Sequence, residues 1–222
     1  MTSLPPLVPS NPWFETESGL VEFVVFQERL ETIGRWIERL EPVVDEFLAE
    51  GRAQFRALVT ETSDAETVDV VHSELSWSEQ LIPVFSFGLL LPACFGAAEM
   101  LCSDLVELFE LRGNPAFDGF DGGRGAPAIE RRRLYFERVV GLEMDWERQA
   151  RKQFEILLNV RNKVAHSLGE GLSAQALNEL ARLMEWTNGQ LRFEPMVVEA
   201  ALQSVGGFAR VIEESMIRSG LA

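Results

Sequence analysis

The chain has 222 residues, with 20 Lys and Arg against 35 Asp and Glu, a formal charge of −15. Hydrophobic residues make up 46% and charged residues 25%, the balance of a globular protein with enough chain to bury a sizeable core. Two cysteines exclude a disulfide scaffold and a Cys-based zinc finger, two histidines exclude a dense His metal site, and the strong negative charge argues against a protein that coats nucleic acid non-specifically.

The first residues, MTSLPPLVPSNPW, carry neither a basic n-region nor an apolar h-region, so no secretory signal is expected. Pro5, Pro6, Pro9 and Pro12 fix φ and remove amide donors, which predicts an extended arm over residues 1–15. Apolar positions then recur at helical spacing over residues 17–60: Leu20, Phe23, Val24, Leu30, Ile33, Ile37, Leu40, Val44, Phe47 and Leu48. Pro42 predicts a break or kink there, and Gly51 a second weak point. The polar stretch over residues 61–67 reads as a loop, and Val68–Leu75 reads equally well as helix or extended chain. The pattern divides the chain into the arm, an N-terminal helical extension over 16–76 and a helical domain over 77–222.

Ser78 is placed to cap the next helix. That helix contains an 18-residue run without a charge, from Leu81 to Ala98. The run just reaches membrane-spanning length. Pro83, Pro92, Gly88 and Gly96 interrupt it, and acidic flanks on both sides supply no Lys or Arg to orient it. A buried core helix is the expected reading, and a membrane-associated protein the competing one. The helix is predicted to have two parts, with Pro92 between them, and to end near Gly113, with Ala93, Ala97, Ala98, Leu101, Leu105, Leu108 and Phe109 on the inner face of its second half. Cys94 and Cys102 sit about 12 Å apart along it, too far for a disulfide, and are expected to be reduced core residues.

Residues 113–127 hold five glycines and two prolines and read as a long flexible loop, with a lid as the functional alternative. They match neither the P-loop nor the EF-hand spacing. Helical periodicity resumes from Ala128 to about Val140, from Asp145 to about Ser167, from Leu172 to Trp186 and from Pro195 to about Arg218. No strand pattern and no internal repeat appears, so an all-α helical bundle is expected. The five Trp, and the single Tyr135, read as packing residues, with base stacking the alternative for Tyr135. His72 has no partner at a ligand spacing. Carboxylate pairs such as Glu38/Glu41 lack the Glu-x-x-His of a di-iron bundle.

Chemistry concentrates in Arg161-Asn162-Lys163-Val164-Ala165-His166, at the end of a helix that Gly169 and Gly171 terminate. An imidazole with an ordinary pKa near 6.5 can take a proton from a ribose 2′-OH or give one to a leaving 5′-oxygen. A guanidinium forks onto phosphate oxygens where charge builds up. Asn162 precedes His166 by four residues and shares its helix face, whereas Arg161 lies about 140° round and about 7.5 Å along. Two copies of the helix meeting across a symmetric dimer would bring both pairs to one cleft.

These residues resemble the HEPN superfamily (higher eukaryotes and prokaryotes nucleotide-binding), whose active members carry Arg, four to six residues, then His, often with Asn directly after the Arg. The spacing of Arg and His alone recurs by chance; the Asn makes the match selective. The resemblance spans about residues 78–218. It implies an all-α dimeric fold and a metal-independent endoribonuclease of a toxin–antitoxin or defence system. Arg161 and His166 would be catalytic and Asn162 supporting, with no cofactor and no metal. The alternative it leaves is a non-catalytic module that dimerises and binds a partner protein or nucleotide.

From Arg124 to Lys163 there are ten basic residues against six acidic ones, a local excess of +4 on an acidic chain. Arg131, Arg132, Arg133 and Lys163 are the expected RNA contacts, with a salt-bridged helix pair as the alternative. The acidic remainder suits a basic partner such as an antitoxin or regulatory protein. The expected partners are thus RNA and a second copy of the chain, in the cytoplasm.

Overall fold

The computed structural model describes residues 13–61, 64–123, 125–167 and 195–222. The arm before Trp13 and the helix predicted over 172–186 lie outside the described residues. The described residues form six α-helices and no strand, the all-α bundle class expected. The helices are α1 (Val21–Glu61), α2 (Ala65–Pro83), α3 (Leu90–Leu111), α4 (Ala128–Tyr135), α5 (Arg148–Ser167) and α6 (Pro195–Arg218).

Three local expectations are corrected. First, α1 runs unbroken through Pro42 for 41 residues. Pro42 deprives the Glu38 carbonyl of its helical donor, but both residues are exposed, so water can take the donor's place. Second, Ser78 lies inside α2 rather than capping a helix. The cap is Asp64, whose carboxylate accepts the Glu66 amide at 3.3 Å and the Thr67 hydroxyl, and Val68–Leu75 is helix. The Thr67 hydrogen bond holds the Asp64 carboxyl below its ordinary range. Third, the apolar run divides not at Pro92 but at a π-helical turn, Val84–Gly88, between α2 and α3. Pro92 falls in the first turn of α3, where a missing N–H costs nothing.

The end of α3 is as read. Gly113 adopts φ 92°, and the Asn114 amide closes back on the Phe109 carbonyl at 3.0 Å. The span from Phe85 to Leu111 is apolar enough to cross a membrane, with mean hydropathy 1.6, and half of its apolar window is buried within the chain. A core helix passes the same test. Cys94 and Cys102 are free and buried in α3.

The segment 113–127 is tied down. Glu110 accepts the Phe117 amide at 2.7 Å, the Tyr135 hydroxyl donates to the Pro115 carbonyl at 2.7 Å, and Phe117 and Phe120 pack edge-on against Tyr135. The glycines let the chain turn, and the two phenylalanines anchor it. Tyr135 is fully buried, in the packing role expected of it.

The chain divides into two compact units. One comprises residues 1–32, 94–155 and 201–222, the other 33–93 and 156–200. In the first, Phe14, Phe23, Phe26, Phe95, Leu101, Phe109, Phe136, Phe154 and Phe208 form the core. The residues before α1 are held to α6 there. Glu213, 2% exposed, accepts the Thr16 hydroxyl at 2.6 Å, the Ser18 hydroxyl at 2.5 Å and the Glu17 and Ser18 amides at 3.1 and 2.9 Å. In the second unit, α1 and α2 form an antiparallel hairpin. Gly51 faces Leu75, Arg52 pairs with Glu79 at 2.6 Å, and Phe55 packs on His72. Ile33, Ile37 and Val44 are buried along α1, whereas Trp36 and Phe47, both expected to pack, are 52% and 57% exposed.

Candidate functional site

The candidate motif lies on α5, near its C-terminal end. The helix forms because Ile156, Leu157, Leu158 and Val160 bury nearly its whole girth, leaving Glu155 and Asn159 exposed. Asn162 follows exposed Asn159 by three residues and buried Leu158 by four, and is half-buried between the two faces. Arg161 instead follows Leu157 by four and Leu158 by three, which puts it on the buried face. Its guanidinium is half-buried and donates from Nη1 to Asn162 Oδ1 at 2.9 Å. Asn162 therefore fixes the direction of the Arg161 fork. The side chains of Lys163 and His166 lie outside the described residues, although the helix backbone continues through both.

The other expected RNA contacts lie on α4, and two of the three serve the fold. Arg133 is buried, 6% exposed, and bound by Glu130 at 2.6 and 2.7 Å and by Glu137. Hydrogen bonding to Glu130 holds its proton more firmly still. Its charge is spent on two carboxylates one turn away in the chain, Glu130 on α4 and Glu137 just past its end. Arg131 donates to the Phe120 carbonyl at 2.9 Å and lies 4.8 Å over the Phe117 ring, so it braces the glycine-rich segment. Arg132 is half-buried, 5.7 Å over the same ring. Further along the basic stretch, Arg151 pairs with Glu155 at 3.0 Å and Glu130 at 3.4 Å, and Arg138, Arg148 and Lys152 are exposed. The salt-bridged alternative thus accounts for part of the basic excess.

An open pocket of about 280 Å³ lies elsewhere, at the start of α5 and the middle of α6. Asp145, Trp146, Glu147, Gln153, Gln203 and Ser204 line it. Trp146 forms one wall, held by ring contacts with Phe154 and Phe208 at 5.2 and 5.0 Å. The sequence signalled only Trp146, as packing; nothing in it joins residues 145–153 to 203–211. Among the described residues, no group of three or more His, Cys, Asp or Glu is gathered to hold a metal ion.

Compared with known proteins, the chain matches no family model, no curated protein and no solved structure.

Proposed function

We propose that this protein is a metal-independent endoribonuclease of HEPN type, acting as a homodimer on RNA. The observation that carries the reading is the placement of Arg161, Asn162 and position 166 on one unbroken helix of an all-α chain, with Asn162 holding the Arg161 guanidinium. In this reading His166 takes the proton from a ribose 2′-OH. The 2′-oxygen then attacks phosphorus, the bond to the 5′-oxygen breaks, and an imidazolium returns a proton to that oxygen, leaving a 2′,3′-cyclic phosphate. Arg161, oriented by Asn162, neutralises the charge that grows on the phosphoryl oxygens.

The test is incubation of purified protein with mixed cellular RNA in EDTA, beside His166→Ala and Arg161→Ala. Cleavage by the wild type is expected to fall about 100-fold or more in each variant. Equal cleavage by all three would place the activity elsewhere. A second reading is a non-catalytic HEPN-like module that dimerises and binds a regulatory protein. The structural engagement of Arg131 and Arg133 favours it, since it removes two of the four expected RNA contacts. No cleavage by the wild type or either variant would favour this reading.

A further inference from the structure

Within α1, four apolar residues follow the 4-3-4 spacing of a coiled-coil seam: Trp36, Leu40, Val43 and Phe47. Trp36, Val43 and Phe47 are 52%, 61% and 57% exposed, and Leu40 is half-buried. Their uncovered parts amount to roughly 300–400 Å² of apolar surface, the size of the largest patch on a typical monomer, which is often functional. One flank of the seam is closed, because Ile37 and Val44 turn into the protein's own core. The other carries Arg39 and Glu46, both exposed, and among the described residues neither is ion-paired within the chain. We infer that this seam binds the same seam of a second copy of the chain, with the two α1 helices antiparallel.

The charges choose both the partner and the direction. In an antiparallel pair, Trp36 meets Phe47 of the other copy and Leu40 meets Val43. In that register Arg39 lies beside Glu46 of the other copy, and symmetry makes the pair twice. A parallel pair would set Arg39 against Val44 on the closed flank and leave both charges without an opposite. Like charges do not meet in the antiparallel register, since the next flanking positions are Thr32 and Ala53. The inference does not rest on the ribonuclease reading, because none of these residues belongs to the Arg161, Asn162 and His166 set.

Sedimentation velocity on the full chain across micromolar concentrations tests it. The wild type is expected to show a concentration-dependent dimer. Glu46→Arg sets Arg39 against arginine and is expected to weaken the dimer roughly tenfold. Arg39→Glu combined with Glu46→Arg restores opposite charges and should recover most of that loss. Val43→Asp, at the centre of the seam, should leave a monomer whose helical circular dichroism matches the wild type. A wild-type monomer throughout, a dimer indifferent to Val43→Asp, or a charge-swapped variant as weak as Glu46→Arg would overturn the inference. In the first two cases the seam is covered by something other than a second copy.

Discussion

Glu213 shows how one buried carboxylate organises a distant segment. Four donors from Thr16, Glu17 and Ser18 converge on its Oε1, nearly 200 residues away in sequence. Removing the buried acceptor leaves four donors of a half-covered segment without it, and costs up to the hydrogen bonds' contribution plus part of the donors' desolvation. Glu213→Ala is expected to destabilise the protein by about 2–4 kcal/mol, a fall in Tm on the order of 5–10 °C for a chain this long. Thermal unfolding checks it, and Glu213→Gln, which keeps one carbonyl acceptor, should fall between. An alanine variant that melts with the wild type would mean the segment is held by its apolar residues alone. Nothing at sequence level marked Glu213, because an acid on a helix looks solvated until the segment that covers it is known. Arg133 is the converse case. It read as part of a phosphate-binding triplet, and the neighbours that neutralise it, Glu130 and Glu137, were in view at helical spacing.

At the scale of the element, α6 contains adjacent glycines whose requirements differ. A Cβ on Gly206 would stand 2.2 Å from the Trp13 carbonyl oxygen, a backbone atom that cannot swing aside. A Cβ on Gly207 would meet nothing within 4 Å. Helix propensity alone favours alanine at both positions by about 1 kcal/mol. Gly207→Ala is therefore expected to stabilise by about that much, whereas Gly206→Ala should destabilise by about 1–3 kcal/mol through overpacking. Denaturant unfolding of the two variants reads the difference in sign directly, and two shifts of the same sign would refute the close approach of Trp13. The helix boundaries teach the same lesson. The period of the apolar residues located the described helices other than α2, whose Val68–Leu75 stretch it left open between helix and extended chain. Pro42 and Pro92 misled because a proline's effect depends on whether its missing donor falls at an exposed or first-turn position, and Ser78 misled because α2 had already begun at Ala65.

At the scale of the whole molecule, the buried thiols set an alkaline limit. Burial pushes both Cys94 and Cys102 from an ordinary value of 9.0 up to about 12. Burial, helped by the Glu110 charge, raises Tyr135 as well. All three pKa values are higher in the folded than in the unfolded chain, so the unfolded state releases protons first. Their contribution to stability is fully present below about pH 9 and is lost as pH rises toward 12. Stability measured from pH 8 to 11 should therefore fall above pH 9, less steeply when both cysteines are replaced by alanine. At pH 8 neither thiol should react with a disulfide reagent until denaturant is added; rapid native labelling would contradict their burial.

The all-α class, the reduced cysteines, the helix carrying Arg161, Asn162 and His166 and the end of α3 at Gly113 all followed from local regularities. Apolar period, glycine position and charge spacing act within a few residues and survive without knowledge of what packs where. The tertiary structure decided which face of each helix is covered. It buried Arg133, bound Arg131 to the Phe120 carbonyl, left Trp36 and Phe47 in solvent, and brought Glu213 to Ser18. These outcomes depend on contacts between residues distant in the chain, where the same amphipathic pattern is compatible with more than one partner.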